Sequence, residues 1–398
     1  MTRWATKTLA DVCERITDGS HRTPPFTERG YPFATVVHVD DDGMIDFASC
    51  SRISQKEFEE LKRNDCRPLR GDVLFSKDGT VGKVAVIDFD ADFVVLSSLA
   101  ILRPKQAVLD QRFLAYALRS ESVLRQAINR KSGSAIRRIV LRDLRHVSIP
   151  VPPLAEQGRI VKLLDEADEL RKLRAQADGR TAALVPALFH KMFGNHASLL
   201  RAGSIVNVRD ICEVKGGKRL PKGDDYSEEP TPYRYIRVSD IHEGWVDETQ
   251  LRFLKPETQK EIARYTVKEG DLIITIAGTI GMIAPVRASL DGANLTENAA
   301  KLVPRFKGKY DVSFLSEVMQ TPFVQNQIGL RTGQVTIGKL ALFRIEQLSL
   351  PLPPLALQKK FAERVAEIRA METEQANSRG RLDNLFQSLL HRAFEGEL

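Results

Sequence analysis

Apolar residues recur every three or four positions along two long, otherwise charged stretches of the chain. Ile160, Leu163, Ala167, Leu170, Ala177, Leu184 and Leu188 form one such stripe, and Phe361, Val365, Ile368, Met371, Leu382, Leu385 and Leu389 form the other. Glu, Asp, Lys and Arg fill the positions between them, as on solvent-facing helix surfaces. A stripe this narrow predicts a seam between two helices. Each stretch lasts roughly 40 residues, or about 60 Å if helical throughout. Each opens on a proline-rich segment, Ile149-Pro150-Val151-Pro152-Pro153-Leu154 or Leu350-Pro351-Leu352-Pro353-Pro354-Leu355, followed by Ala-x-Gln. Such prolines end an extended segment and fit only the first turn of a helix. Pro186, which has Gln387 as its counterpart, should kink or end the first helix about two turns early.

Outside these arms the pattern changes to short β-branched runs between Gly and Asp. Phe33 to Val39, Val73 to Phe75, Val84 to Ile87 and Phe93 to Leu102 predict strands in the first half. Tyr235 to Val238, Leu272 to Ile276, Met282 to Val286 and Ala300 to Val303 predict strands in the second. An amphipathic helix follows in each half, over Asp110 to Asn129 and Asp311 to Gln327. The halves are copies of one plan. Gly71-Asp72-Val73-Leu74 matches Gly270-Asp271-Leu272-Ile273, and Gly79-Thr80-Val81-Gly82 matches Gly278-Thr279-Ile280-Gly281, both 199 positions on. The proline-rich segments lie 201 positions apart.

The expected class is therefore α+β, with two mixed α/β domains joined by two long antiparallel coiled-coil helices and an internal pseudo-twofold repeat. The boundaries read as 1–150, 151–195, 196–350 and 351–398 for globule, helix, globule and helix. Both arms meet the second globule, one entering it and one leaving it, so paired arms must run antiparallel. A parallel pair would require that globule to bridge about 60 Å.

Composition narrows the function. With 398 residues and 42% hydrophobic content, the chain can build two or three cores. The four cysteines, Cys13, Cys50, Cys66 and Cys212, contain no C-x-x-C pair, which argues against a zinc site or disulfide framework and for a reducing compartment. No apolar run approaches membrane-spanning length, so a soluble cytoplasmic protein is expected. A net charge of +7 favours a polyanionic partner. Catalytic motifs are near-misses. Thr23-Pro24-Pro25-Phe26 puts Thr where amino-methyltransferases need a carbonyl-type acceptor, and it reads as a turn. Gly333-Gln334-Val335-Thr336-Ile337-Gly338-Lys339-Leu340 has phosphate-loop spacing but Leu340 in place of the Mg²⁺-binding hydroxyl. There is no G-x-S-x-G elbow. An autonomous DNA-modifying or DNA-cleaving enzyme, the alternative reading, would need a cofactor loop or metal cluster of which the sequence carries no trace.

The repeated Pro-Pro-Leu-Ala-x-Gln with its arm, together with Leu389-Leu390-His391-Arg392-Ala393-Phe394-Glu395-Gly396-Glu397-Leu398 at the end, resembles the DNA-specificity subunit of type I restriction-modification systems. Ile16-Thr17-Asp18-Gly19-Ser20-His21-Arg22, Gly217-Lys218-Arg219-Leu220-Pro221-Lys222 and Tyr235-Ile236-Arg237-Val238-Ser239-Asp240 are also similar to that family. The resemblance implies two target-recognition domains, each reading half of a split double-stranded DNA site. It also implies two modification subunits that bring S-adenosylmethionine and methylate adenine, and restriction subunits that bring ATP, Mg²⁺ and cleavage. No cofactor is then expected in this chain. From the chemistry of base-edge and phosphate contacts, candidate DNA-binding residues are Ser20, His21, Arg22, Lys77, Lys83, Arg137 and Arg138 in the first globule. In the second they are Lys218, Arg219, Lys222, Arg234, Arg237 and Lys339. Tyr233 and Tyr235 read as packing residues, and Glu166, Glu169, Arg171 and Lys172 as an arm surface for the modification subunits.

Overall fold

The computed structural model describes residues 4–129, 139–194, 205–242, 244–306, 308–332 and 338–398. Contacts divide the chain into two units, Met1–Gln176 with Ala376–Leu398, and Ala177–Gln375. Each unit holds one globule and a part of both long arms.

In the first unit a four-stranded antiparallel sheet runs in the order Cys13–Asp18, Leu99–Pro104, Val73–Ser76, Val84–Val86. A second sheet runs Phe26–Thr27, Ser51–Ile53, Tyr31–Ala34, Val94–Val95, its last pair parallel. Thr6–Thr8 pairs with Ser148–Pro150 at the foot of the globule. The second unit repeats the plan. Its main sheet runs Cys212–Gly216, Ala299–Pro304, Leu272–Thr275, Ile283–Pro285, and a three-stranded sheet holds Arg252–Phe253, Arg234–Ile236 and Asn294–Leu295. Ile205–Asn207 pairs with Ser349–Pro351.

Three predicted elements are divided. The run from Phe93 to Leu102 is two strands in two different sheets, because residues 96–98 turn the chain from one layer to the other. The strand expected to reach Val39 stops at Ala34. There the Thr35 N–H donates to His38 Nδ1 at 2.9 Å and closes a 3₁₀ turn over Val36–His38. Likewise the strand expected to reach Val238 stops at Ile236, and the Arg237 N–H donates to Asp240 Oδ2 at 2.8 Å around the turn Val238–Asp240. The single amphipathic helix of each half is two, Gln111–Arg119 with Glu121–Asn129, and Val312–Gln320 with Pro322–Thr332. Ser120 and Thr321 sit extended between them, each hydroxyl donating to the carbonyl three residues back. Pro322 further holds its predecessor out of helical conformation.

The repeated Ala-x-Gln motif fastens arm to globule. Gln157, fully buried, accepts the Asp110 N–H at 2.8 Å through Oε1 and donates through Nε2 to the carbonyls of Val108 and Pro152, each at 2.8 Å. Gln358 repeats this with the Asp311 N–H at 3.0 Å and the Pro353 carbonyl at 2.6 Å. Asp110 and Asp311 are themselves N-caps of the following helices. One amide thus ties a proline-rich strand, a helix start and an arm.

The arms are the helices Leu154–Ala182, Leu184–Phe193 and Leu355–Glu395. Pro186 interrupts the first arm without ending it. It lacks the N–H that would reach the Ala182 carbonyl, the helix breaks at Ala183, and it resumes to Phe193. Burial differs from the expected stripe. In the first unit Ile160, Val161, Leu164 and Ala167 join Phe386, Leu390, Ala393 and Phe394 on the globule's Phe113 and Tyr116. In the second, Phe361 and Val365 join Phe193 and Phe314. Leu170, Leu184, Met371 and Leu385 are exposed. Burial therefore gathers where a helix covers the globule as well as its partner, a broader face than a two-helix seam requires. Elsewhere polar pairs cross between the arms. Arg171 Nε meets Asp383 Oδ1 at 2.7 Å while its guanidinium lies over the Phe386 ring. In the second unit Gln375 donates to Thr181 at 2.9 Å and Phe361 packs on Phe189 and Phe193, so rising numbers on one arm meet falling numbers on the other. The arms are antiparallel.

Replacing Gln358 by Leu leaves the Asp311 N–H and the Pro353 carbonyl buried without partners, at a cost of about 3 kcal/mol. Thermal unfolding followed by circular dichroism checks this, and an unchanged melting temperature would refute the role of the amide as a fastener.

Candidate nucleic-acid interface

The first strand of each main sheet ends at a glycine that nothing else can replace. A Cβ on Gly19 would fall 1.9 Å from the Val95 carbonyl oxygen, and one on Gly217 would fall 2.1 Å from that of Thr296. The chain passes over the sheet-crossing turn here, and Ser20 and Lys218 donate their N–H groups to Val95 and Leu295, each at 2.8 Å. The segments Ser20-His21-Arg22 and Lys218-Arg219 emerge directly beyond.

The Gly-Thr-x-Gly motifs are hairpin tips. Gly79 and Gly82 have φ of +70° and +106°, and Gly278 and Gly281 have +78° and +93°. The Ser76 hydroxyl donates to the Thr80 carbonyl and accepts from the Lys83 N–H, and Thr275 does the same for Thr279 and Met282. Gly79 faces Val36 and Gly278 faces Val238. Glycine-led loop, 3₁₀ turn, hairpin tip and crossing turn together form a rim at one end of each globule.

Matched backbone bonds align the two rims residue by residue. Lys77 donates its N–H to Ser98 and accepts from Ile139, as Ile276 does with Asn298 and Leu340. Lys77 therefore occupies the position of an isoleucine. It is 1% exposed, its Nζ 3.0 Å from Asp18 Oδ2, where the second unit has Gly216. Ser20 is buried too, its hydroxyl donating to the Arg22 carbonyl. Of the candidates, these two side chains are buried within the globule. A side chain's outward position is set by the fold and not by its polarity.

The remaining candidates fall into three groups. Lys218, Lys222 and Lys339 are exposed, with no ion pair among the described residues. His21, Arg22 and Arg219 lie on the rims but are steered by carboxylates. His21 Nε2 is 3.2 Å from Asp18, Arg22 bonds Glu57 and Glu60 at 2.8 Å each, and Arg219 is 3.2 Å from Glu297. Hydrogen bonds donated to Glu60 and then Glu57 raise the Arg22 pKa further, so it stays cationic. Lys83, Arg234 and Arg237 serve the fold. Lys83 donates to the Val39 carbonyl, Arg234 to the Ser289 carbonyl and Glu248, and Arg237 grips Asp240 through both Nε and Nη2. Arg137 and Arg138 lie outside the described residues, as does most of the phosphate-loop-like segment. Tyr235 is buried and donates to the Lys218 carbonyl, as its packing role requires. On the arm, Arg171 is committed to Asp383 and Asp168 and not to an outer docking face.

Polarity alone did not point to Ser239, Glu297 and Asn298, which share a concavity with Arg219 and Arg237. The repeat offset, followed through the crossing turn, would have found them. All four cysteines are buried, and desolvation pushes their thiols up to about 12 for Cys13 and Cys212 and about 11 for Cys50 and Cys66, away from nucleophilic chemistry. Among the described residues no cluster of His, Cys, Asp or Glu could hold a metal ion, and no helix is long and apolar enough to cross a membrane.

The chain thus builds one globule twice, each with a glycine-led rim and each packed against both arms. The family described as "Type I restriction modification DNA specificity domain" matches residues 1–177 and 204–378, and the chain belongs to it. It is 26% identical over 357 residues to the Escherichia coli type I restriction enzyme EcoBI specificity subunit, covering 79% of this chain and 73% of that one. It is 24% identical to the putative MjaX specificity subunit of Methanocaldococcus jannaschii, covering 94% and 89%. The crystal structure of the S subunit from M. genitalium shares the fold with a TM-score of 0.56 at 19% identity, over 98% of this chain and 96% of that one. A structure from work on type I complex assembly gives 0.60 at 18% identity, over 100% and 99%. The function is DNA sequence recognition within a type I restriction-modification system.

Lys77→Ala strands the buried Asp18 carboxylate and should cost about 3 kcal/mol or more. Copying the second unit with Asp18→Gly and Lys77→Ile together should restore most of that. Urea denaturation of the native chain and the two variants measures it, and equal losses in the single and double variants would refute the pairing.

Proposed function

We propose that this chain is a non-catalytic reader in which each globule recognises one half of a bipartite, asymmetric site on double-stranded DNA. The carrying observation is the pair of matched rims bearing different side chains, Ser20-His21-Arg22 against Lys218-Arg219-Leu220. Similar backbones with unlike edges read unlike half-sites. Lys218, Lys222 and Lys339 neutralise phosphates and fix orientation, while Arg219, held by Glu297, and His21, held by Asp18, approach base edges. The paired arms, near 151–195 and 351–398, set the spacer between half-sites without reading it. Two modification subunits supply S-adenosylmethionine and methylate adenine, and restriction subunits supply ATP- and Mg²⁺-dependent cleavage, all in the cytoplasm. Against an autonomous modifying enzyme stand buried, high-pKa thiols and near-miss motifs.

The purified chain with labelled S-adenosylmethionine and DNA should transfer no methyl group until its modification subunits are added. Transfer by the chain alone would overturn the assignment. In the assembled complex, Lys218→Ala, Lys222→Ala and Lys339→Ala should each weaken binding uniformly across sequences and lower the salt slope of log K by about one. A change in base preference with an unchanged slope would count against their phosphate role.

A further inference from the structure

We propose that Val37 reads the C5-methyl group of a thymine in the half-site served by the first globule. The proposal rests on the rim being the DNA-facing surface. Val37 is 78% exposed, more than any other large apolar side chain described in its unit. A single exposed valine is ordinarily unremarked surface, but the placement of this one is built. It sits at the centre of the 3₁₀ turn Val36–His38, between Val36, which packs against the hydrophobic core, and the fully buried Val39. His38 Nδ1 closes the turn onto the Thr35 N–H and hydroxyl at 2.9 and 3.1 Å. The Gly79 hairpin tip abuts Val36 from the other side. With Val36 packed on the core and His38 turned back onto Thr35, the middle side chain of the turn faces outward, and a β-branched residue arrives there with χ1 already restricted.

The second unit builds the same turn, and there the middle residue is Ser239, whose hydroxyl donates to Asp240 at 3.2 Å. Ser239 shares a concavity with Arg219, Thr296, Glu297 and Asn298, which places the middle of the turn among the polar groups of that rim. The equivalent bonds of the first unit, Ser20 to Val95 and Leu96 to Ala34, bring its turn and glycine-led loop together in the same way. One scaffold thus presents two methyl groups to one half-site and a hydroxyl to the other. In the major groove the thymine C5-methyl is the base-edge group that selects an apolar partner.

The test uses the full chain assembled with its modification subunits and a target site found by methylation mapping. Each thymine is replaced in turn by uracil, which removes only the methyl group, and binding is measured by competition. With the native chain, one uracil in the half-site of the first globule should weaken binding about fourfold, the worth of one buried methyl. Val37→Ala should remove that sensitivity while uracils in the other half-site behave as before. Two results overturn the proposal: no thymine-to-uracil effect in that half-site, including a half-site without thymine, or an effect that survives Val37→Ala. Rim charge variants run alongside separate the two levels. If Lys218→Ala and Arg22→Ala weaken binding while Val37→Ala leaves the uracil effect intact, the rim stands and Val37 does not read. If none of them alters binding, both readings fall.

Discussion

The structure depends on a buried primary amide used twice. Gln157 and Gln358 each satisfy a carbonyl of the proline-rich strand and the N–H of an N-cap aspartate, groups that the globule would otherwise bury unpaired. A glutamine is suited to this because one side chain carries both donor and acceptor at the end of a short tether. Its effect is directional. The arm cannot swing about its first turn without breaking bonds on both sides of the amide. Gln126 and Gln327 repeat the device at the terminal strand, exchanging two bonds each with the backbone of Ser148 and Ser349. Rims and arms are therefore held to one frame in each unit, and a reading surface is only as accurate as its fixation.

Much of this was legible in the sequence because repetition supplies its own control. The strand near Val73 to Phe75, a helical region after it and the arms could be placed from periodicity, and the Pro-Pro-Leu-Ala-x-Gln repeat marked the joint before the role of its glutamine was visible. The limits of pattern reading were local. Nothing in the composition of Phe93 to Leu102 signals that Val94 and Val95 serve one sheet and Leu99 to Leu102 the other, because both environments are apolar. Arm residues Leu170 and Leu385 obey a helical stripe yet face solvent. Their stripe was chosen from spacing alone, whereas the buried one also follows the contour of the globule.

The site was the least legible part, for an electrostatic reason. A lysine in a sequence is read as a surface charge, but Lys77 is neutralised inside the fold by Asp18, and Arg237 is consumed by Asp240. Charge that stabilises a turn and charge that awaits a phosphate look identical until their carboxylates are placed. Lys218 and Lys222, on exposed loops, form no ion pair among the described residues.

The Asp18–Lys77 pair carries a further consequence for how such proteins diversify. Its members lie 59 positions apart, Asp18 at the end of the first strand of the main-sheet order and Lys77 just beyond the third. An exchange of segments between the two halves of this chain whose crossover falls between them would leave a bare charge in the interior, because the second half has Gly216 and Ile276 at these positions. Strand and hairpin of the first globule are therefore tied to one another by charge as well as by the sheet.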